Sequence, residues 1–506
     1  MKRGYPCCLK AAITLLGLTL LSPSGALQAA TCFSPEQALE SLGPYTSAVE
    51  SEHFIIRFNP DPERQLHEAR AGQLLDWFEE SLTVMTSELG FLAPQGIESF
   101  QMLIAVELLP SPNVGGFTSL APCQDSEMAF VVVNSQWFSD DQRLKSLAPH
   151  ELFHAIQVRY AFDGLWGAGA EQNRWWIEAS AAFMEWLVFP ELNETQQAHS
   201  LQWSQEPWRA LRSNAASGFQ YGSWLLAASI TESLDQADWH RQLWERLAAA
   251  EQFDVVTEVD ATLLTQGSSF ADEWGNFIER AATMDFSFGD GLDTPGTVFD
   301  SGQGGLAAAH SAAELPIDAI ILANSSPPAP QTLGTAYVRL EAPTEPSALH
   351  IELEAIPESN GQSRDFAFHL VAIADGAAGQ NHRLLTVPLT GTGGSEGGTV
   401  VLDGFGGTWD QLLIAASPTA SGQNHEGASW GYRLRLEPSS GGSDFSVPGQ
   451  SDSSTGCSGC STTGPTSPTE PVHWLLSLLL LAPSWSRRRP QPQLKSSFGS
   501  RPIRST

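Results

Sequence analysis

The word His150-Glu151-Leu152-Phe153-His154 constrains this chain more than any other stretch, because its two histidines can act together only on a helix. A spacing of four advances a helix by about one turn, roughly 6 Å, so both imidazoles leave one face and can grip a single ion. Glu151 then lies beside that ion rather than on it, where a carboxylate can take a proton from bound water. The plainer reading is a helix with two exposed or core-capping histidines.

A second helix follows. Trp175, Ala179, Ala182 and Trp186 are spaced to bury one stripe, and Glu178 stands among these apolar neighbours. A lone carboxylate is costly to bury there, and a metal partner would remove that cost. A surface ion pair is the competing reading of Glu178. At these residues the chain resembles the gluzincin class of zinc metallopeptidases, the thermolysin-like grouping, in which HExxH is followed by a helix carrying a glutamate ligand. The segment fits W-x-x-E-[GA]-x-A-x-x-x-E with Trp175, Glu178, Ala179, Ala181 and Glu185 at its fixed positions. A Gly-rich loop from Asp163 to Gly169 is expected between the two helices.

The resemblance implies Zn2+ held by His150, His154 and Glu178, a fourth position left for water, and Glu151 as general base. Tyr221, in Phe219-Gln220-Tyr221-Gly222, is the candidate donor to a developing oxyanion, with simple packing at a helix start as its alternative. His199 and His240 are weaker candidates and read as solvated helix histidines. In one respect the chain departs from thermolysin. The position four residues after the glutamate ligand is Ala182, and the next acid, Glu185, reads first as a structural residue pairing with an arginine, with orientation of a ligand as the alternative.

With 506 residues, 42% of them hydrophobic, the chain can bury at least two cores. Lys2, Arg3 and Lys10 before an apolar run from Ala11 to Leu21, then Ala29-Ala30, read as a secretory signal peptide; the run is too short to span a membrane. At the other end, Cys457-Ser458-Gly459-Cys460, an apolar run from Val472 to Ala482 and Arg487-Arg488-Arg489 resemble bacterial C-terminal sorting tails of the MYXO-CTERM and GlyGly-CTERM kind. That resemblance implies export and attachment at the cell surface. The formal net charge is −31, and both ends are basic, so the remainder is more acidic still. Nucleic acid and anionic membranes are therefore poor partners, and solubility outside the cell, or a protein or peptide substrate of basic character, fits better. In an oxidising compartment Cys32 and Cys123 are expected to form a disulfide, with Cys32 as an inhibitory thiolate on the zinc the runner-up.

Phe54–Phe58 reads as a strand, a helix follows from about Glu63 with Gly90 as its stop, and Met102–Val106 and Met128–Asn134 are further strands. The last could be a docking edge for extended substrate or an ordinary core strand. Tyr221–Leu234, Trp239–Ala249 and Phe270–Ala282 carry helical spacing. Past a joint near Gly302–Ala309, runs beginning at Tyr337, Leu349, Phe366, Leu384, Thr399, Leu412 and Tyr432 alternate with period two and suit a β-sandwich. Ser439–Pro471 has the composition of a flexible stalk.

The expected architecture is α+β, a thermolysin-like metallopeptidase domain over residues 31–300 followed by an all-β sandwich at 315–438, a linker at 439–470 and a tail at 471–506. The expected activity is that of a secreted, surface-tethered zinc endopeptidase. A non-catalytic surface binding protein with a structural metal is the rival, although a structural site has no use for Glu151. A zinc aminopeptidase would need an acidic anchor for the substrate amine, and no motif supplies one.

Overall fold

Strands β2 (Phe54–Phe58), β3 (Met102–Glu107) and β5 (Ala129–Asn134) are nearly continuous apolar runs, the pattern of strands covered on both faces. They pair in parallel, β2 with β3 and β3 with β5, while β1 (Ser47–Glu50) and β4 (Gly116–Leu120) close the two edges antiparallel, in the order β1-β2-β3-β5-β4. The computed structural model describes residues 44–439, with breaks at 121–127, 167–169, 193–197, 201–202, 214–217, 251–253, 284–285, 287–307, 312–313, 326–327, 357–365, 375–380, 391–395 and 420–428. The chain divides into two units, Met1–Phe445 and Ser446–Thr506, and every described residue belongs to the first. The expected signal peptide, the Cys32–Cys123 pair and the sorting tail lie outside the described residues.

Helix α1 (Glu68–Thr83) begins later than its spacing suggests. A short 3-10 turn, Pro62–Arg64, precedes it, and the His67 side chain caps it by accepting from Arg70 N. It ends through one π turn, Val84–Glu88, with Gly90 at φ +74° as the expected stop. Helices α2 (Asp141–Trp166) and α3 (Ala170–Val188) then carry the two motifs. Asp140 caps α2 by accepting from Arg143 N. Because α2 runs to Trp166, Asp163–Trp166 is helical and not part of the expected loop, the rest of which falls in 167–169. The strand Met128–Asn134 is interior, between β3 and β4, so the docking-edge reading is corrected: the edge beside α2 is β4.

Behind α3 stand α4 (Trp224–Leu234), α5 (Asp238–Ala249), α6 (Val255–Thr265) and α7 (Phe270–Thr283). Tyr221–Leu234 is not one helix, since a separate turn, Phe219–Gly222, is divided from α4 at Ser223. The remainder is β-rich. One sheet has the order β11-β10-β13-β8-β6, with β6 (Ala308–Ser311), β8 (Ala336–Glu341), β10 (Phe366–Ala374), β11 (Asn381–Thr386) and β13 (Gln411–Pro418). The other runs β12-β9-β14-β7, with β7 (Ile317–Ile321), β9 (Ser347–Ala355), β12 (Gly397–Phe405) and β14 (Tyr432–Ser439).

The molecule is thus mixed α+β. All seven expected C-terminal strands are present, and β6 and β7 join them. Phe366, Phe368, Leu370 and Leu412 of one sheet share an apolar cluster with Leu349, Ile351, Leu434 and Leu436 of the other. Alternate residues of the first sheet, Tyr337, Val371, Ile373, Leu413 and Ala415, point the other way and join the core of the helical part. Polar contacts fix that junction: Trp274 Nε1 donates to Ser417 Oγ at 2.9 Å and the Tyr337 hydroxyl to Ile278 O at 3.2 Å. Among the described residues no helix is long and apolar enough to cross a membrane.

Candidate metal centre

The face of α2 that carries the histidine pair meets α3 running the opposite way: Gln157 reaches Ile177 and Ser180, while His150, nearly two turns earlier, reaches Glu185. This antiparallel return brings Glu178 between the two imidazoles. Its Oε2 lies 3.5 Å from His150 Nε2 and 3.6 Å from His154 Nε2, and the two Nε2 atoms are 3.1 Å apart. Donors about 2.0–2.1 Å from one tetrahedral ion stand about 3.3–3.5 Å from each other, and the three separations fall within about 0.2 Å of that range. They form a possible metal-binding triad.

Each histidine is turned toward the centre by its far nitrogen. His150 Nδ1–H donates to Glu185 Oε1 at 2.7 Å. The Gln157 amide is fixed by donating to Ile177 O at 2.9 Å and Ser180 Oγ at 2.8 Å, which leaves its oxygen to accept from His154 Nδ1–H at 2.8 Å. Both Nε2 atoms therefore face one point together with Glu178 Oε2, where a cation and a proton compete for the same lone pairs. Glu185, read first as a structural residue, is corrected to a partner of His150. Two helical turns separate it from Glu178, enough to carry it past the ligand positions to the outer side of that imidazole.

Glu151 is buried beside the triad. Thr118 of the edge strand β4 places its hydroxyl 2.8 Å from both Glu151 Oε2 and the Glu151 backbone oxygen. The other oxygen, Oε1, faces Gly116, where an added Cβ would stand 3.4 Å from it and only 2.6 Å from Val132 O. Strand β4 thus occupies one oxygen of the carboxylate and leaves room at the other. Burial raises the affinity of Glu151 for a proton, and the neighbouring Glu178 adds to this, while His154, His150 and Thr118 oppose it. Burial also works against ionised Glu178 and Glu185, but their histidine partners outweigh it and both are held below the ordinary carboxylate range.

Tyr221 reaches the same place from the turn Phe219–Gly222. Its ring lies 5.8 Å from the His150 ring and stacks at 5.2 Å on His199. Burial first, then the charges of Glu178 and Glu151 and a hydrogen bond to Glu178, push its ionisation upward, so the phenol keeps its proton. His199 is half-buried, with Nε2 3.8 Å from Glu185 Oε1. His240, expected in solvent, is instead a core residue, ringed by Phe91, Phe153, Trp176, Phe183 and Trp239 and accepting from Trp244 Nε1 at 3.4 Å. Burial in this apolar cage depresses its pKa to about 3.

All five residues singled out by the sequence, His150, Glu151, His154, Glu178 and Tyr221, therefore converge. Thr118 and Gln157 were not foreseen, and no local pattern marks them.

The match to a family model spans residues 19–380 and is to a family of unknown function, DUF6055. The chain belongs to the DUF6055 family. No curated protein matches this DUF6055 chain. Among solved structures it is similar to a family GH115 4-O-methyl-alpha-glucuronidase with specificity for decorated arabinogalactans, at 8% identity and a TM-score of 0.14. The likeness covers 69% of the DUF6055 chain and 53% of that enzyme, so the chain spans about half of its length, and at that score it bears on neither fold nor site.

Proposed function

We propose that this DUF6055 protein is a zinc-dependent peptidase of gluzincin type that hydrolyses peptide bonds within protein substrates. The observation that carries the reading is the spacing of three donor atoms, 3.1, 3.5 and 3.6 Å apart, with the buried Glu151 carboxylate beside them. Two imidazoles and one carboxylate are a donor set suited to zinc, and three protein ligands leave a coordination position for substrate or water. When bound, the ion would polarise a carbonyl and make water a stronger acid.

The chain's own groups then have separate duties. His150, His154 and Glu178 hold the ion, with Glu185 and Gln157 fixing the imidazoles. Glu151 takes a proton from the attacking water at Oε1 and delivers it to the departing amine, while Thr118 restrains Oε2. Tyr221 donates its phenol proton in a hydrogen bond to the oxygen on which charge develops. A thermolysin-like arrangement of the N-terminal part, a β-sandwich role for the two C-terminal sheets, and export with surface tethering complete the proposal. The last of these rests on residues 1–30 and 457–489 alone.

The test is zinc content together with casein hydrolysis by wild type and Glu151→Gln. The variant is expected to keep one zinc per chain and to lose about 10²–10⁴-fold in hydrolysis. Full activity in that variant, or zinc-loaded wild type without hydrolysis of casein or a mixed peptide pool, would overturn the reading.

A further inference from the structure

Arg174 stands at the lip of the metal centre and is not used by the chemistry just described. It lies four residues before Glu178 on α3, so its side chain leaves the same helix face one turn earlier. Among the described residues it meets the carboxylate of Glu178, with Oε1 3.9 Å from Nε, at the outer limit of an ion pair. Other arginines of this acidic chain hold carboxylates more tightly: Arg212 pairs with Asp254 at 3.1 Å, Arg246 with Glu258 at 3.2 Å and Arg143 with Asp140 at 3.3 Å. The Arg174 side chain is 54% exposed, whereas that of Glu178 is 14% exposed and aimed at the histidines. Its charge is also felt by Tyr221, which brackets the centre from another element.

The Glu178 oxygen aimed at the histidines is Oε2, while Arg174 approaches only Oε1, at 3.9 Å, and keeps more than half of its side chain exposed. Planar two-pronged donors of this kind match carboxylate and phosphate groups, and of the two a peptide substrate supplies the carboxylate. The surrounding protein carries a strong excess of negative charge, which alone would repel acidic ligands. We infer that Arg174 forms a carboxylate-binding subsite at the mouth of the metal centre, selecting substrates with a carboxylate close to the scissile bond. This rests on the peptidase reading and deepens it by naming the substrate class. The carboxylate belongs either to an acidic side chain or to a free C-terminus.

The test uses the full chain and peptide pairs that differ only by Glu or Gln at each position flanking the scissile bond, each pair made with a free and with an amidated C-terminus. Cleavage is followed with wild type, and binding by calorimetry with zinc-loaded Glu151→Gln, with and without Arg174→Ala. The expected result is an about tenfold or greater preference for the carboxylate member of one pair. In Arg174→Ala that ratio falls to about one while zinc content is kept, and in Arg174→Glu it shifts toward peptides carrying lysine. Preference in the Glu/Gln pairs assigns the side chain as the source, and preference for the free over the amidated end assigns the C-terminus. A ratio near one in wild type, or an unchanged ratio in Arg174→Ala, overturns the subsite and leaves the peptidase reading standing. Loss of zinc from Arg174→Ala also overturns it, for Arg174 would then serve only as an ion-pair partner of Glu178. Arg174-dependent binding without any cleavage by wild type would sink the peptidase reading and keep the subsite.

Discussion

The contact between His150 Nδ1 and Glu185 Oε1, 2.7 Å long and buried, sets how firmly that imidazole is aimed. Replacing the carboxylate by an amide keeps the shape and removes the charge. Glu185→Gln is accordingly expected to weaken zinc binding by about 10–100-fold with little change in fold, read by competition with a chromophoric chelator. Unchanged affinity would show that His150 needs no such partner. His240 offers a second residue-level test, away from the centre. Its folded-state pKa is depressed to about 3, so below the ordinary histidine value of about 6.5 the unfolded chain binds a proton that the folded one refuses. Stability from this group is present above that value and is lost as pH falls from 6.5 toward 3, by up to about 1.4 kcal/mol per pH unit. Denaturant midpoints of wild type should therefore fall more steeply between pH 6.5 and 4 than those of His240→Phe, and parallel curves would contradict the cage. The candidate triad was legible because helix geometry alone joins positions 150 and 154 and gives a carboxylate at 178 a reason to be among apolar neighbours. Thr118 and Gln157 were not, because a neutral polar residue acquires its role only from the partner that the fold brings to it.

At the scale of elements, strand β4 decides what Glu151 can do. It pairs antiparallel with β5 from Gly116 to Leu120, and this register turns Thr118 toward α2. Thr118→Val, which removes the hydroxyl and keeps the shape, is expected to lower kcat by roughly tenfold with zinc retained, whereas Thr118→Ser stays near wild type. Equal losses in both variants would indicate a packing effect and not the hydrogen bond to Glu151. Sequence patterning found β2, β3, β5 and the seven later strands, whose apolar periods are long. It missed β1, β4, β6 and β7, because a four- or five-residue edge strand such as Gly-Phe-Thr-Ser-Leu shows almost no period. It left Met128–Asn134 open between a docking edge and a core strand, because order within a sheet depends on long-range pairing, which spacing does not encode. Helix α6 was missed although Val255, Val256, Val259 and Leu263 face the core, since its polar residues interrupt the stripe.

For the whole molecule, the first C-terminal sheet serves two cores at once, one face toward the second sheet and the other toward the helices around α7. The period-two pattern announced the strands but not this docking, because alternation with both faces buried looks the same whatever covers each face. Trp274, buried at the junction and bonded to Ser417, should act as a hinge pin of stability. Trp274→Ala is expected to cost about 3–5 kcal/mol, and wild type to melt in a single calorimetric transition. Two independent transitions, with only one moved by the substitution, would show that the halves fold separately. The central claim remains the convergence of His150, His154 and Glu178 on one ion, and crystals of the full chain measured on both sides of the zinc absorption edge test it most directly. The account predicts a single anomalous peak about 2.0–2.2 Å from His150 Nε2, His154 Nε2 and a Glu178 carboxylate oxygen. A zinc-supplemented crystal with no peak there, or with one bound elsewhere, would contradict it.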